Sequence, residues 1–390
     1  MSPVTLTSTC LLGVIGGAVS VAAAQPPGSV LRHYELSAAP TVILEDDGSP
    51  ERQFGSALVR RLATGRLVVG DPTLGIIRVF ERDGGVARQL ARKGHGPGEM
   101  PGRFALSSFR DTVLAFGQPP SSPSGIDLFS ETGGYAGHVG PDVLGGSSVV
   151  VIDRLSSGQY LVRRSGIRAI RSAPQTGQLF PVMGTYGVLS VSSQDSAVVS
   201  WMDPVVSRWT FAHAWPGGPL ATMLYGYPFA PMTFVVASGE LVWIVNAKDG
   251  TLHSFSPTAT LVTSAQLSGS PRPFDARSFA DRRNQAVAEA VRPLDSVRVN
   301  AMFDRSLLPR TLPWVSAAVP GPDGEIWLRR FDLAPNAPQE FIVVDRNGRE
   351  IAEASVPSDV EIQQVGKDFL VGVRTLVNGT LAVVEFALRR

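Results

Sequence analysis

Residues 65–85 read "GRLVVGDPTLGIIRVFERDGG": an apolar run, a turn of Gly, Asp and Pro, a second apolar run, and a closing Asp-Gly-Gly. Short runs of β-branched and aromatic residues between such clusters are strands, and the tight link between them makes a hairpin. The unit returns as "DTVLAFGQPPSSPSGIDLFSETGG" at 111–134, "GELVWIVNAKDGTLHSFSPTA" at 239–259 and "GEIWLRRFDLAPNAPQEFIVVDRNGR" at 324–349. Weaker copies start at Gly158, Asp195 and Gly366, so successive starts lie 46, 47, 37, 44, 85 and 42 residues apart. A period of this size predicts an all-β propeller, in which each four-stranded blade buries its faces only against its neighbours. Direct counting gives seven units.

The long step holds "DARSFADRRNQAVAEAVR", residues 275–292, with Phe279, Ala286, Val287, Ala290 and Val291 on one helical face. Pro273 precedes it, Asp275 is placed to cap it and Pro293 ends it. The segment from Asp295 reads as a second helix. We therefore expect a helical insertion over about residues 275–312, lying on one end of the propeller with Arg282, Arg283 and Arg292 toward solvent or the axial opening.

A ring has to be closed. The last unit supplies three strands, "EIQQVG", "DFLVGVR" and "LAVVEFAL", and "TVILE" at Thr41–Glu45 is the free strand that completes it. Its removal is expected to bare an inner edge.

The N-terminal stretch differs from the repeats. Leu11 to Ala24, "LLGVIGGAVSVAAA", is apolar and uncharged, too short for a comfortable bilayer span but suited to a signal-peptide core. Ala22 and Ala24 fit small-x-small cleavage, which divides the chain into a signal peptide, 1–24, and a single propeller domain, 25–390. The expected location is therefore periplasmic or extracellular, with an uncleaved N-terminal anchor as the alternative. Cys10, the one cysteine, precedes the apolar run, so the mature chain uses neither disulfide nor thiol chemistry. A net charge of +1, with Arg scattered rather than striped, points away from nucleic acid. No stable membrane span after processing and a monomeric state are expected.

Between repeats, Lys93 to Phe104 reads "KGHGPGEMPGRF". It follows an outer strand and precedes the next innermost one, so Gly94, Gly96, Pro97, Gly98 and Glu99 are read as a structural corner from rim to axis. A phosphate loop would need Gly-Lys-Ser/Thr opening a helix, and the prolines remove amide donors.

This corner resembles the G-x-GPGEF corner of exported bacterial six-bladed β-propeller proteins related to NHL repeats. The C-terminal third resembles them as well, through "PDGEIWLRR", "FIVVDRNGREIAEASVP" and "VGKDFLVGV". The resemblance implies six blades rather than seven, with the discrepancy falling between 158 and 225.

Signals for chemistry are sparse. His33, His95, His138, His213 and His253 fall at radii that do not converge, and no Gly-x-Ser-x-Gly elbow appears, so no catalytic residue, cofactor or metal is assigned. Asp83, Asp249, Asp323 and Asp345 sit in hairpin turns, where a carboxylate serves the backbone. Aromatic residues gather at Trp201, Trp209 and Trp215, which read as inter-blade packing or as a surface for a sugar or peptide. With Arg282 and Arg283 they form the candidate binding surface. The functional expectation is an exported binding or scaffolding module for a protein, peptide or glycan. A metal-dependent hydrolase or lyase at the axis, and an envelope component without small ligand, are the alternatives.

Overall fold

The computed structural model describes residues 20–21, 31–49, 52–118, 125–140, 143–144, 149–164, 179–193, 196–214, 222–226, 229–288, 299–300, 303, 311–334 and 336–390. Strands dominate, as the hairpin pattern predicts. The first sheet is the meander Leu58–Arg61, Leu67–Asp71, Ile76–Phe80 and Val86–Lys93; the second is Phe104–Phe109, Thr112–Gly117, Ile126–Ser130 and Gly134–Val139. The third runs Val149–Arg154, Tyr160–Arg164, Tyr186–Ser193 and Ser196–Trp201, so the weak copies at Gly158 and Asp195 share one sheet. Then come Thr233–Ser238, Leu241–Asn246, Thr251–Phe255 and Leu261–Gln266, followed by Val315–Pro320, Ile326–Arg330, Gln339–Val344 and Glu350–Val356. The last meander is Val360–Val365, Phe369–Thr375 and Leu381–Arg389.

The first strand of each sheet lies against the first strand of the next, and Val360–Val365 returns to Leu58–Arg61, which closes a ring. This is the arrangement of a β-propeller. The cause is burial. Second strands such as Leu67–Asp71 and Leu241–Asn246 are covered on both faces, whereas Val86–Lys93 at the rim is largely exposed. Each pair of neighbouring sheets encloses its own apolar cluster; Phe104, Leu106 and Phe129 of the second sheet, for instance, meet Val68, Ile77 and Val79 of the first.

Thr41–Glu45 pairs antiparallel with Leu381–Arg389, as the closure reading expects. It is the outermost strand of that sheet, not an inner edge as expected, because its partner is the third strand of the meander. A preceding strand, Arg32–Leu36, runs parallel to Glu350–Val356 and then bridges to Arg389 and Leu388. The N-terminal segment thus ties the last two sheets together. Upstream, Ser20–Val21 pairs parallel with Leu261–Gln266, and the rest of the apolar leader lies outside the described residues. Among the described residues no helix is long and apolar enough to cross a membrane.

Two elements interrupt the repeats. A three-stranded sheet, Leu179–Gly184, Val205–Ala214 and Thr222–Gly226, is interleaved with the third repeat sheet. The helix α1, Ala276–Ala288, forms where the apolar face predicts it. Asp275 caps it, accepting from the amides of Arg277 at 3.1 Å and Ser278 at 2.9 Å. The expected second helix falls mostly outside the described residues, as does Arg292.

Candidate functional site

The glycine-rich segment follows the rim strand Val86–Lys93 and leads toward Phe104–Phe109. Glu99 and Met100 run parallel beside Arg92 and Lys93, and the Glu99 carboxylate accepts from the Gly96 amide at 2.9 Å and Arg92 Nε at 2.8 Å. The Gly96 amide, then Arg92, hold the Glu99 carboxyl below its ordinary pKa. Gly98 adopts φ +76°, and a Cβ there would stand 3.0 Å from that of Tyr135. A Cβ at Gly94 would displace the Glu99 carboxylate, and Pro97 spans the two glycines at the tip.

The aromatic surface is not assembled. Trp201 packs between the second and third sheets beneath the Arg164 guanidinium, 4.5 Å away. Trp209 lies against the cluster under α1 and beside a smaller cavity of about 380 Å³. Trp215 lies outside the described residues. Tryptophans close in sequence diverge here because Trp201 ends a repeat strand while Trp209 belongs to the interleaved sheet.

The histidines fall on separate elements. His95 is on the corner, His33 on the N-terminal strand, His213 on the middle strand of the interleaved sheet and His253 on a third strand, while His138 Nδ1 lies 2.9 Å from Asp127. Among the described residues no three His, Cys, Asp or Glu side chains are grouped as metal ligands would be. Three of the turn carboxylates serve the backbone: Asp83 accepts from Gly85, Asp249 from Thr251, and Asp345 from Asn347 and Arg349, whereas Asp323 pairs instead with Lys367 Nζ at 3.0 Å.

Two polar constellations escaped the sequence reading. The first lies on the inner strands of the ring. Ser107 Oγ donates to Asp153 Oδ1 at 2.7 Å, and the Arg154 amide donates to the same oxygen at 2.8 Å. Arg60 Nη1 donates to the carbonyls of Val59 and Gln363, both at 2.8 Å. Arg60 and Asp153 make no ion pair, but they feel each other. Burial raises the Asp153 carboxyl pKa, and the Arg60 charge opposes that rise.

The second is a cavity of about 740 Å³ beneath α1. Its walls are the segments preceding the first strands of the fourth, fifth and sixth sheets, the link 331–338 between two strands of the fifth, and the helix itself. Phe279, 2% exposed, anchors α1 through rings 5.2 Å away at Phe229, 5.4 Å at Phe274 and 5.5 Å at Phe303. Phe229, Phe303 and Phe331 also line the cavity.

Its charges are unevenly matched. Arg272 pairs with Asp332 and Glu340, Arg330 with Glu353 at 3.1 Å, and Asp359 with Arg374 at 3.0 Å. Arg329 is held by neutral partners, Nε to Ser316 Oγ at 2.7 Å and Nη1 to Gln339 Oε1 at 2.9 Å. Arg282, on α1, donates to Gln285 at 3.0 Å. Burial lowers the Arg329 pKa; Glu361 counters this and the Arg282 charge adds to it. Arg283, expected beside Arg282, turns to Asn300 at 2.8 Å and does not line the cavity. The signal for Arg329 was present as "WLRR", but nothing local tells which arginine of that pair faces a cavity.

Solved structures resemble this chain in fold. A member of the DUF4221 family from Bacteroides vulgatus is 9% identical, with 93% of this chain and 100% of that one covered and a TM-score of 0.54. A protein from Bacteroides fragilis assigned as exported is 14% identical over 93% and 97%, with a TM-score of 0.48. Virginiamycin B lyase from Staphylococcus aureus is 8% identical over 90% and 99%, with a TM-score of 0.40. At such identities the likeness concerns the fold, and only the first is strong enough to support it. No known family profile and no curated protein matches the chain. What the chain shares with known proteins is therefore an all-β architecture, and its chemistry has to be read from its own side chains.

Proposed function

We propose that this chain is an exported binding module on a six-bladed β-propeller related to the NHL-repeat propellers, with its ligand seat in the cavity beneath α1. Six first strands following one another around the ring, with the copies at Gly158 and Asp195 in one sheet, support the six-blade reading over seven. The apolar leader supports export, with residues 1–24 removed and 25–390 left as one domain.

The observation that carries the binding reading is the cavity. Its volume of about 740 Å³ falls among ligand pockets, its aromatic wall offers area, and its few polar groups offer orientation. It is also built partly by an insertion that the repeat does not need. Ring packing can proceed without α1, so the helix is free to serve a site.

A small-molecule and peptide thermal-shift screen on the mature protein tests this. Hits should lose their effect in Ala286→Trp and in Ala337→Trp, which fill the cavity from the helix and from the facing link respectively. Hits that persist in both variants would move the seat elsewhere.

A further inference from the structure

The charge count in this cavity says more than that something binds. Arg272, Arg282, Arg329 and Arg330 face Asp332, Glu340 and Asp359 around one space. Every one of those carboxylates already has an arginine, whereas Arg282 and Arg329 have neutral hydrogen-bond partners and, among the described residues, no ion pair. Both cations come from different elements, α1 and the second strand of the fifth sheet, yet line one cavity. Glu361, at the start of the next first strand, acts on Arg329 through its field without touching it.

Arg329, half-buried and without a charged partner among the described residues, is costly in an empty cavity and favourable beside an anion, and the exposed Arg282 adds a second positive charge at the same mouth. Guanidinium is matched to a carboxylate, whose two oxygens meet its planar donors. Nε and Nη1 of Arg329 are committed to Ser316 and Gln339, which fixes the plane of the group and leaves donors at Nη2. The remaining wall is aromatic, from Phe229, Phe303 and Phe331. An anion alone would leave that wall bare.

Resting on the reading that this cavity is the ligand seat, we infer that it takes a small organic carboxylate, with the carboxylate between Arg282 and Arg329 and an apolar body against Phe229 and Phe331. Arg282 rides on the inserted helix, so the same contact couples ligand binding to docking of α1.

The test uses three probes of one shape on the mature chain at low salt: 3-phenylpropionate, 3-phenylpropanamide and 3-phenylpropylamine, titrated by calorimetry or NMR. The carboxylate should bind at least about tenfold more tightly than the amide, and the amine should not bind, since a charge-assisted pair outweighs a neutral hydrogen bond by that order. Arg329→Gln and the exposed Arg282→Gln should each weaken the carboxylate far more than the amide and so remove most of that preference. Glu361→Gln should tighten carboxylate binding. Equal affinity for carboxylate and amide, or a preference surviving both arginine substitutions, overturns the ligand class. So does absence of binding by phenylpropionate up to about 10 mM, the weak limit for a fragment of this size. If the amide binds as well as the acid and Ala337→Trp abolishes both, the seat stands and the carboxylate assignment falls. If Ala337→Trp and Ala286→Trp change nothing, the seat itself is wrong.

Discussion

The tie that the N-terminal segment makes between the last two sheets is a stability statement that the packing allows us to size. Leu44, on Thr41–Glu45, is 1% exposed and packs with Phe54, Val59, Leu67, Val371 and Val383, between the last sheet and the first. Truncating such a leucine costs about 2–5 kcal/mol, because the removed methyls lose their burial and the cavity persists. Tyr34, on Arg32–Leu36, is 3% exposed in a separate cluster, with its ring 6.0 Å from Trp327 and 5.1 Å from the Arg390 guanidinium. By analogy with other buried aromatic residues its truncation costs roughly 3–5 kcal/mol. The two share no cluster, so the costs should add to about 5–10 kcal/mol, against a total stability of about 5–15 kcal/mol for a typical domain. Deleting residues 25–48 removes both anchors and leaves Leu381–Arg389 with a bare edge. We expect the deletion protein to aggregate or lose its cooperative transition. Leu44→Ala alone should lower the melting temperature by roughly 4–10 °C, taking about 2 °C per kcal/mol for a large domain. Scanning calorimetry reads all three proteins, with fully exposed Val377→Ala as the silent control. A deletion protein that melts cooperatively within about 2 °C of the undeleted chain would refute the argument that this segment holds the last two sheets together.

Three further outcomes are expected. Asp153→Asn should raise the melting temperature at neutral pH: burial lifts the folded carboxyl pKa, so the ionisation cost appears above the unfolded value of about 3.9 and is complete above the folded one. The gain should vanish near pH 3, where both states are protonated, and a loss at neutral pH would mean that the attraction of Arg60 prevails. Phe279→Ala should cost about 3–5 kcal/mol locally, so hydrogen exchange should accelerate across Ala276–Ala288 while Ile326–Arg330 keeps its protection. Gly98→Ala should lower the urea midpoint by the equivalent of about 1–2 kcal/mol, since L-residues strain at its positive φ, and an unchanged midpoint would show that the corner relaxes freely.

Much of this molecule could be read from its chain, for a reason that lies in the fold. Second strands such as Leu67–Asp71, Thr112–Gly117 and Leu241–Asn246 are buried on both faces, so they appear as unbroken apolar runs, and the turns after them carry Gly and Asp. Their recurrence set the period, the fold class and the place of α1. Covered on one face or neither, Val86–Lys93 and Arg32–Leu36 carry no such signature. The interleaved sheet was hidden as well, because Leu179–Gly184 and Val205–Ala214 look like repeat strands but pair with each other. The candidate site is illegible for a stronger reason. Arg282 stands on the inserted helix, Arg329 on a repeat strand 47 positions later, and Asp332 and Glu340 choose Arg272 rather than either of them. Local sequence sets which residues are strand, turn or helix, because backbone preference and burial period act over a few positions. Which charges are left without a partner depends on contacts between sheets, and those exist only after the ring has closed.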